Sequence, residues 1–595
     1  MDRQEKTLFT VKNIILSILI PAAVMYLFEA YTHNPFVRMK AGIQALNIFL
    51  FILIEWILFF MTGSLKAALR IMCALFMILG LAEYYLVEFR GVTLLPWDLG
   101  SLGTAAEVAS GYDYMPGIRA FICMAGFILL FVLCRFADLK LKGHYLKRAA
   151  GALLLILMII LYTLFVQTEF AEKTFGFYTK LFTPTAISER DGTLTAFLME
   201  LQYVNVRKPA GYSREEAEKL LSGYEGKAPA EDRANIIVIM NEAFSDLSVL
   251  GELDTDEDYM PYIHSLQREG KNVITGELNV SIVGGNTPNT EFEFLTGNTL
   301  AFLPEGSIPY QQYVREGIYA MPRYLKETGY RTVGMHPYYP GGWERERVYP
   351  LLGFEKSLFL EDFPENSDKV HGYVSDLECS EQIIREYEDG LDSGKPFFSF
   401  LVTMQNHSPY DKDTGDIPES ISIISDKDVG KKEATERYLT LIRKSDEAFR
   451  YLTEYFEKAD EPAVVVIFGD HEPSDSVVRP VIRLQGKDPR NLSEEDVEKR
   501  YIVPYVIWTN FDIDTVHGRD TSANFLGNEV LRTAGAGSYP YRAFLEEVSG
   551  AYPVLSAVRT LDAKGRDADK AGKEADPLIE KYETLQYYEL FDRGR

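Results

Sequence analysis

Two kinds of residue in this chain could do chemistry: one threonine in an unusual turn, and several carboxylates and histidines that each follow an apolar run. The turn is VGGNTPNTEFEFLTG, Val283 to Gly297, where Gly284 and Gly285 precede Asn286, Thr287 and Pro288. Glycines let the backbone approach a ligand closely. Thr287 stands where a helix N-cap is expected, and Pro288 suits the first helical position. Two jobs therefore fit Thr287. It caps the helix, or its hydroxyl becomes a nucleophile once metal coordination lowers its effective pKa. The start of the helix would also offer free N–H groups and partial positive charge to a phosphate.

The second set lies elsewhere in the chain. NIIVIM runs into Asn241-Glu242, AVVVIFG into Asp470-His471, RTVGM into His336, and FFSFLVTMQ into Asn406-His407. With His371, four of the eight histidines fall at or soon after such run ends. Any one of them reads as a helix cap or a satisfied surface group. Their recurrence after separate runs favours a convergent metal or phosphate site. Glu242, Asp470 and His471 offer two carboxylates and an imidazole, a set suited to manganese, magnesium or zinc. The neighbouring histidines would protonate a leaving alcohol and bind phosphate oxygens.

Such residues need a frame that delivers them to one edge. The apolar and β-branched runs at 235–240, 331–336, 397–404, 463–469 and 501–508 read as strands. MPRYLKETG, LECSEQIIREYEDGL and ATERYLTLIRKSDEAFRYLTEYFEKA, which alternate with them, read as helices. That alternation predicts a largely parallel α/β sheet covered by helices on both faces. Ligands of such sheets bind outside the carboxyl ends of the strands, where these residues fall.

The rest of the chain says where this domain sits. At 595 residues it exceeds one compact domain. Five apolar runs predict membrane spans: roughly Val11 to Phe28, Ile43 to Met61, Ile71 to Val87, Ala120 to Cys134 and Ala149 to Val166. Residues 1–166 hold 14 Lys/Arg against 10 Asp/Glu, and the remainder 47 against 76. The acidic remainder argues against nucleic acid as a partner. Basic residues favour the segments that are inside if the N-terminus is cytoplasmic, and an odd number of spans then puts everything after Val166 outside the cell. The loop after the third span carries Trp97, suited to the headgroup layer, and Asp98, placed to cap a short helix. Cys379 is the lone cysteine of the acidic part, so no disulfide forms within it. The expected domains are a five-span membrane domain at 1–167, a juxtamembrane linker with amphipathic helices at 168–232, and an extracellular catalytic domain at 233–595.

Taken in order, NEAFSD (241–246), GGNTPNTEFEF (284–294), MHPYYPGGWERERVYPLLGF (335–354), TMQNHSPY (403–410) and FGDHEPS (468–474), behind five spans, resemble the lipoteichoic acid synthase group of sulfatase-like membrane enzymes. The resemblance covers nearly the whole chain. It implies an α/β sulfatase or alkaline-phosphatase-like domain outside the cell membrane, with manganese as its metal. The implied reaction moves glycerol phosphate from phosphatidylglycerol to a polymer or glycan acceptor through a phospho-threonine, releasing diacylglycerol. Carried over motif by motif, Glu242, Asp470 and His471 are metal ligands and Thr287 is both ligand and nucleophile. His407, Trp343, Arg345 and His336 contact phosphate or head group, Arg345 with the fork geometry that suits bidentate phosphate binding.

Two departures bear on the head group. The family's usual lysine before the threonine is Asn286 here, and the stretch between His336 and Trp343 lacks the acidic residue that contacts glycerol in the family pattern. Phosphoethanolamine transfer is the alternative within the same chemistry, and a non-catalytic envelope scaffold is the alternative of another class. Sulfate ester hydrolysis is disfavoured, because TPNTE lacks both the cysteine or serine and the arginine that formylglycine formation requires.

Overall fold

The computed structural model describes residues 3–90, 93–96, 115–141, 143, 145–177, 184–201, 206–304, 306–410, 417, 421–489, 491–568 and 576–594. Trp97 and Asp98 lie outside them. The described chain forms two compact units that divide after Val206.

The first unit is a helical bundle. Five of its helices are long and apolar enough to cross a membrane: Val11–Glu29, Ala41–Thr62, Leu65–Glu88, Ile118–Phe136 and Tyr145–Val166, with mean hydropathies of 1.9 to 2.7. Each contains its predicted run and extends it by a few residues. Much of their surface is exposed apolar side chain, including Leu153, Leu154 and Ile160, as expected of helices meant to face hydrocarbon. Two buried polar side chains of the bundle find partners across it: Glu29 accepts from the backbone N–H and hydroxyl of Thr193, and Asn47 accepts from the Thr195 hydroxyl while its amide donates to the Ile43 and Asp191 carbonyls. The short helix Thr193–Glu200 is thereby tied into the bundle.

The second unit is an α/β domain. Its strands are β1 (Asn235–Asn241), β2 (Val273–Asn279), β3 (Arg331–Met335), β4 (Lys356–Leu358), β5 (Lys369–Val370), β6 (Tyr373–Val374), β7 (Phe397–Val402), β8 (Ala463–Gly469), β9 (Ile502–Thr509) and β10 (Thr521–Ser522), with a separate hairpin of β11 (Val554–Leu555) and β12 (Thr560–Leu561). Eight form one sheet in the order β10-β2-β9-β8-β1-β7-β3-β4, and β5 pairs with β6 as a separate hairpin. All pairings in the large sheet are parallel except those of β9 with β2 and β8. The mixed, mostly parallel sheet matches the expected fold class. The antiparallel direction of β9 was not legible, because strand direction leaves no mark on an apolar run, and β2 was missed because VITGELN is half polar.

Every residue of β1, β7, β8 and β9 is buried. That pattern requires cover on both faces. The apolar sides of helices Asp376–Glu388 and Glu433–Phe456 close one face, with Ile383, Leu439, Ile442 and Phe449 packed against Ile237, Ile239 and Val465 in one core. On the other face Phe294, from helix Pro288–Thr296, lies 5.0 Å from the Phe468 ring and 5.8 Å from Phe400. Burying each such ring contributes roughly 1.5–3 kcal/mol. These rings fix the helix that carries Thr287 at its start to the middle of the sheet.

Candidate active site

Strand register delivers the first two carboxylates. Asn241 of β1 pairs with Gly469 of β8, so Glu242 and Asp470 leave the sheet side by side. Asp470 Oδ1 accepts from the N–H of Ala243 at 2.7 Å and of His471 at 2.8 Å, locking both turns together. Ala243 takes a left-handed conformation, φ 48°, and its carbonyl accepts from the Tyr438 hydroxyl. The turn after β1 is therefore held from two sides.

Glu242, Asp470 and His471 are all buried, and one ligand atom from each lies within 4.8 Å of the others. His471 Nδ1–H donates to the Glu472 carbonyl at 2.8 Å, leaving the Nε2 lone pair toward the carboxylates, 3.2 Å from Asp470 Oδ2. Asp470 Oδ2 and His471 Nε2 have no hydrogen-bond partner. Burial first, and then the Asp470 charge, push the Glu242 carboxyl up to about 8. Two buried carboxylates and an imidazole with orphaned inward atoms fit a divalent cation, which supplies the missing counter-charge. Outer contacts hold two of these ligands in place: Glu242 N–H donates to the Thr403 hydroxyl oxygen, and His471 Nδ1–H to the Glu472 carbonyl.

Thr287 joins this cluster from the far side. Gly284 N–H donates to the same Glu472 carbonyl that holds His471, which draws the glycine turn over the metal group. Gly284 and Gly285 have φ of 72° and 153°, values that favour glycine, and Asn286 has φ 65°. Thr287 occupies the N-cap position but its side chain makes no cap bond; its hydroxyl donates instead to Glu242 Oε2 at 3.2 Å. The expected cap is therefore absent, because φ −35° and ψ −44° at Thr287 are helical rather than extended. The expected bank of free N–H groups is reduced as well. Those of Asn289, Thr290 and Glu291 bond to the carbonyls of Asn286 and Thr287.

The remaining residues form a second cluster. His336 Nδ1–H donates to the Val402 carbonyl at 3.0 Å, and its Nε2 accepts from Arg345 Nη1 at 3.1 Å. Burial and then the Arg345 charge hold His336 far below the usual imidazole range, hence neutral. Arg345 is itself buried, and its Nε and Nη2 fork onto the Glu291 carboxylate. The bidentate partner found is thus Glu291, where a phosphate was expected, since an arginine this deeply buried needs a resident counter-ion. Trp343 is half-buried in the turn before Arg345. His407, half-buried after β7, donates Nδ1–H to the Ser408 carbonyl, and burial lowers its pKa against the pull of Asp470. The two clusters feel each other: the Arg345 charge lowers Glu242 as Asp470 raises His407.

Sequence reading had passed over Glu291, Thr403 and Glu472 as site members. Glu291 lies one turn after Thr287 inside a motif already singled out, so helical spacing was the available signal. Thr403 and Glu472 carried none, because they act through a hydroxyl and a backbone carbonyl.

A family model described as Sulfatase matches residues 234–536. A putative cyclic beta-1,2-glucan modification protein of Rhizobium meliloti (strain 1021) is 30% identical over 421 residues, 68% of this chain and 62% of that protein. Lipoteichoic acid synthase 1 of Bacillus subtilis (strain 168) is 25% identical over 284 residues, 45% of this chain and 42% of that protein. The chain thus spans less than two thirds of either relative. The solved integral membrane lipooligosaccharide phosphoethanolamine transferase A from Neisseria meningitidis shares the fold, with a TM-score of 0.50, 12% identity, and coverage of 88% of this chain and 95% of that one.

Proposed function

This chain belongs to the sulfatase family, and from that premise we propose that it is a membrane-bound phosphotransferase that moves glycerol phosphate from phosphatidylglycerol to a polymer or glycan of the cell envelope. The observation that carries the reading is the Thr287 hydroxyl, 3.2 Å from Glu242 within the buried Glu242, Asp470 and His471 group. A threonine that gives up its cap bond to face a metal-type cluster is arranged as a nucleophile.

Glu242, Asp470, His471 and Thr287 would hold the ion, taken here as manganese. When bound, the ion polarises a phosphoryl oxygen and favours the ionised threonine hydroxyl. Thr287 Oγ, ionised beforehand by release of its proton to solvent, then attacks phosphorus, the bond from phosphorus to the diacylglycerol oxygen breaks, and a proton passes to that oxygen. His407 is the proposed donor of this proton. Its lowered pKa suits rapid release of a proton once one is taken up. In the second step an acceptor hydroxyl attacks phosphorus, the bond to Thr287 Oγ breaks, and the acceptor's proton is taken up by the same histidine. Trp343 is the proposed head-group contact, backed by His336 and Arg345, which are buried with their polar atoms engaged by Val402, Gly342, Glu291 and each other. The names of the relatives, a glucan modification protein and a lipoteichoic acid synthase, support an envelope polymer or glycan as acceptor. We further place the N-terminus in the cytoplasm and the α/β domain outside, next to outer-leaflet lipid, following the basic residues of the loops.

The test is mass spectrometry of Thr287 in the full-length protein after incubation with manganese and either phosphatidylglycerol or phosphatidylethanolamine. A glycerol phosphate adduct on Thr287, absent in Thr287→Ala, is expected. An ethanolamine phosphate adduct would replace the donor but keep the chemistry, and no adduct with either lipid would defeat the reading.

A further inference from the structure

Glu291 has no role in the chemistry above, yet it is the most heavily engaged carboxylate near the site. It is fully buried on helix Pro288–Thr296, one turn after Thr287, and its own N–H bonds to the Thr287 carbonyl. Its carboxylate accepts from Arg345 Nε and Nη2, from the Tyr349 hydroxyl at 3.0 Å and from the Tyr310 hydroxyl at 3.3 Å. A lone cap or a core ion pair needs fewer partners.

What Arg345 does with its other edge gives the arrangement a direction. Nη1 reaches His336 Nε2 at 3.1 Å and the Gly342 carbonyl at 3.3 Å. Between His336 and Arg345 the chain passes through Trp343 and Glu344 at φ 55° and 59°, two consecutive side-chain-bearing residues in a region L-residues avoid. Such a pair is strained and persists only where its surroundings impose it. Here the imposing contacts are the Arg345 anchor behind the turn and the Glu344 carboxylate paired with Arg347 at 2.6 Å in front of it. The turn, with Trp343 half-exposed upon it, is thus referenced to the helix that begins at Thr287.

We propose that Glu291 is a positioning residue for head-group binding: through Arg345 it fixes His336 and the left-handed Trp343–Glu344 turn relative to the Thr287 nucleophile. The inference rests on the phosphotransferase reading for its kinetic test and stands apart from it for its structural one. Because Glu291 touches neither the metal group nor Thr287 Oγ, it acts on the part of the substrate that does not change in the reaction. Loss of such binding raises KM and spares kcat.

The experiment compares Glu291→Gln, Arg345→Lys, their double mutant and Tyr349→Phe in the full-length protein, with mixed micelles of phosphatidylglycerol as donor. Glu291→Gln is expected to raise KM about tenfold with kcat within about threefold of wild type, and with bound manganese unchanged. If Glu291 acts through Arg345, the double mutant is no worse than Arg345→Lys alone. Tyr349→Phe keeps the ion pair and removes one donor to Glu291, so it covers the case in which Glu291→Gln does not fold; a rise in KM of about threefold is expected. Histidine-selective 15N NMR supplies the activity-independent readout, the Nε2 signal of His336 shifting in Glu291→Gln as its Arg345 contact is lost. Additive losses in the double mutant, a fall in kcat at constant KM, or an unchanged KM in both folded variants would overturn the proposal. Wild-type protein that turns over no phosphatidylglycerol would defeat the donor assignment instead, and an unmoved His336 signal would then overturn this inference by itself.

Discussion

The Thr287 hydroxyl donates to Glu242 Oε2 at 3.2 Å across 45 residues of sequence. The contact joins the end of the first strand of the sheet to the start of the helix that follows β2. It exists because neither partner has its ordinary local use: Thr287 is too helical to cap, and Glu242 is walled in with Asp470. Its chemical meaning can be tested with the smallest available changes.

Thr287→Ala removes the only atom at this position able to form the phosphoryl bond, so kcat is expected to fall by at least about a thousandfold. Thr287→Ser keeps the oxygen and should retain a measurable fraction. Steady-state release of diacylglycerol decides between the roles: equal, mild losses in both variants would return Thr287 to a structural part.

The metal group predicts a linkage effect. If the ion binds the folded protein alone, at about a hundred times its dissociation constant it stabilises the fold by about 2.7 kcal/mol. Chelation should therefore lower the melting temperature of the full-length protein in detergent, and added manganese should restore it. Asp470→Asn, which neutralises one carboxylate of the site, should melt at one temperature with or without manganese. A wild-type melting curve indifferent to both chelator and manganese would argue against a resident ion.

Much of this was readable from residues alone, and the unread part has a common cause. Glu242, Asp470, His471, His336 and His407 announced themselves because chemically loaded residues followed apolar runs, and parallel strands with helical crossovers must bring such ends to one edge. The roles of Thr287 and Arg345 were harder to see. Local spacing favoured a cap for the first and the family resemblance implied phosphate for the second, whereas the structure gives each a carboxylate partner, Glu242 for one and Glu291 for the other. Partner choice inside a buried cluster depends on register, such as Asn241 against Gly469, and register is a property of two strands at once. The five spans were legible to within a few residues because apolar length is set by bilayer thickness alone.

Away from the site, His264 predicts a pH dependence. Its Nδ1 lies 2.8 Å from Asp258 and its Nε2 3.5 Å from Asp246, which also accepts from the Tyr259 hydroxyl. Burial opposes both charges, but the His264 and Tyr259 hydrogen bonds carry Asp246 from 3.8 down to about 2, and Asp246 followed by Asp258 carries His264 above 6.5. The Asp246 contribution is present above pH 3.8 and lost as pH falls toward 2; it amounts to about 2 kcal/mol. The His264 contribution is full below pH 6.5 and lost as pH rises through its folded value. Stability from this group should therefore plateau between these limits and fall on either side. Denaturant titrations across pH should show the alkaline limb flattened in His264→Gln, and an identical profile for the variant would show that the pair does not control it.

The last expectation concerns a residue with no side chain. Gly469 closes β8 immediately before Asp470, and a Cβ built there would lie 1.9 Å from the Phe244 carbonyl oxygen and 3.0 Å from Val503 Cβ. One neighbour is backbone, in the turn that Asp470 and Tyr438 pin after Glu242, so it cannot swing aside as a flexible side chain would. Gly469→Ala should push the two carboxylate-bearing turns apart. Overpacking of this kind costs about 1–3 kcal/mol, and the displaced ligands should weaken manganese binding by about tenfold or more, since outer-support changes alone reach that size. Calorimetric titration with manganese beside a thermal melt separates the two effects. Wild-type affinity in a variant that also melts like wild type would mean that the turn after β1 yields freely, and that the close approach of Gly469 to Phe244 does not set the spacing of Glu242 and Asp470.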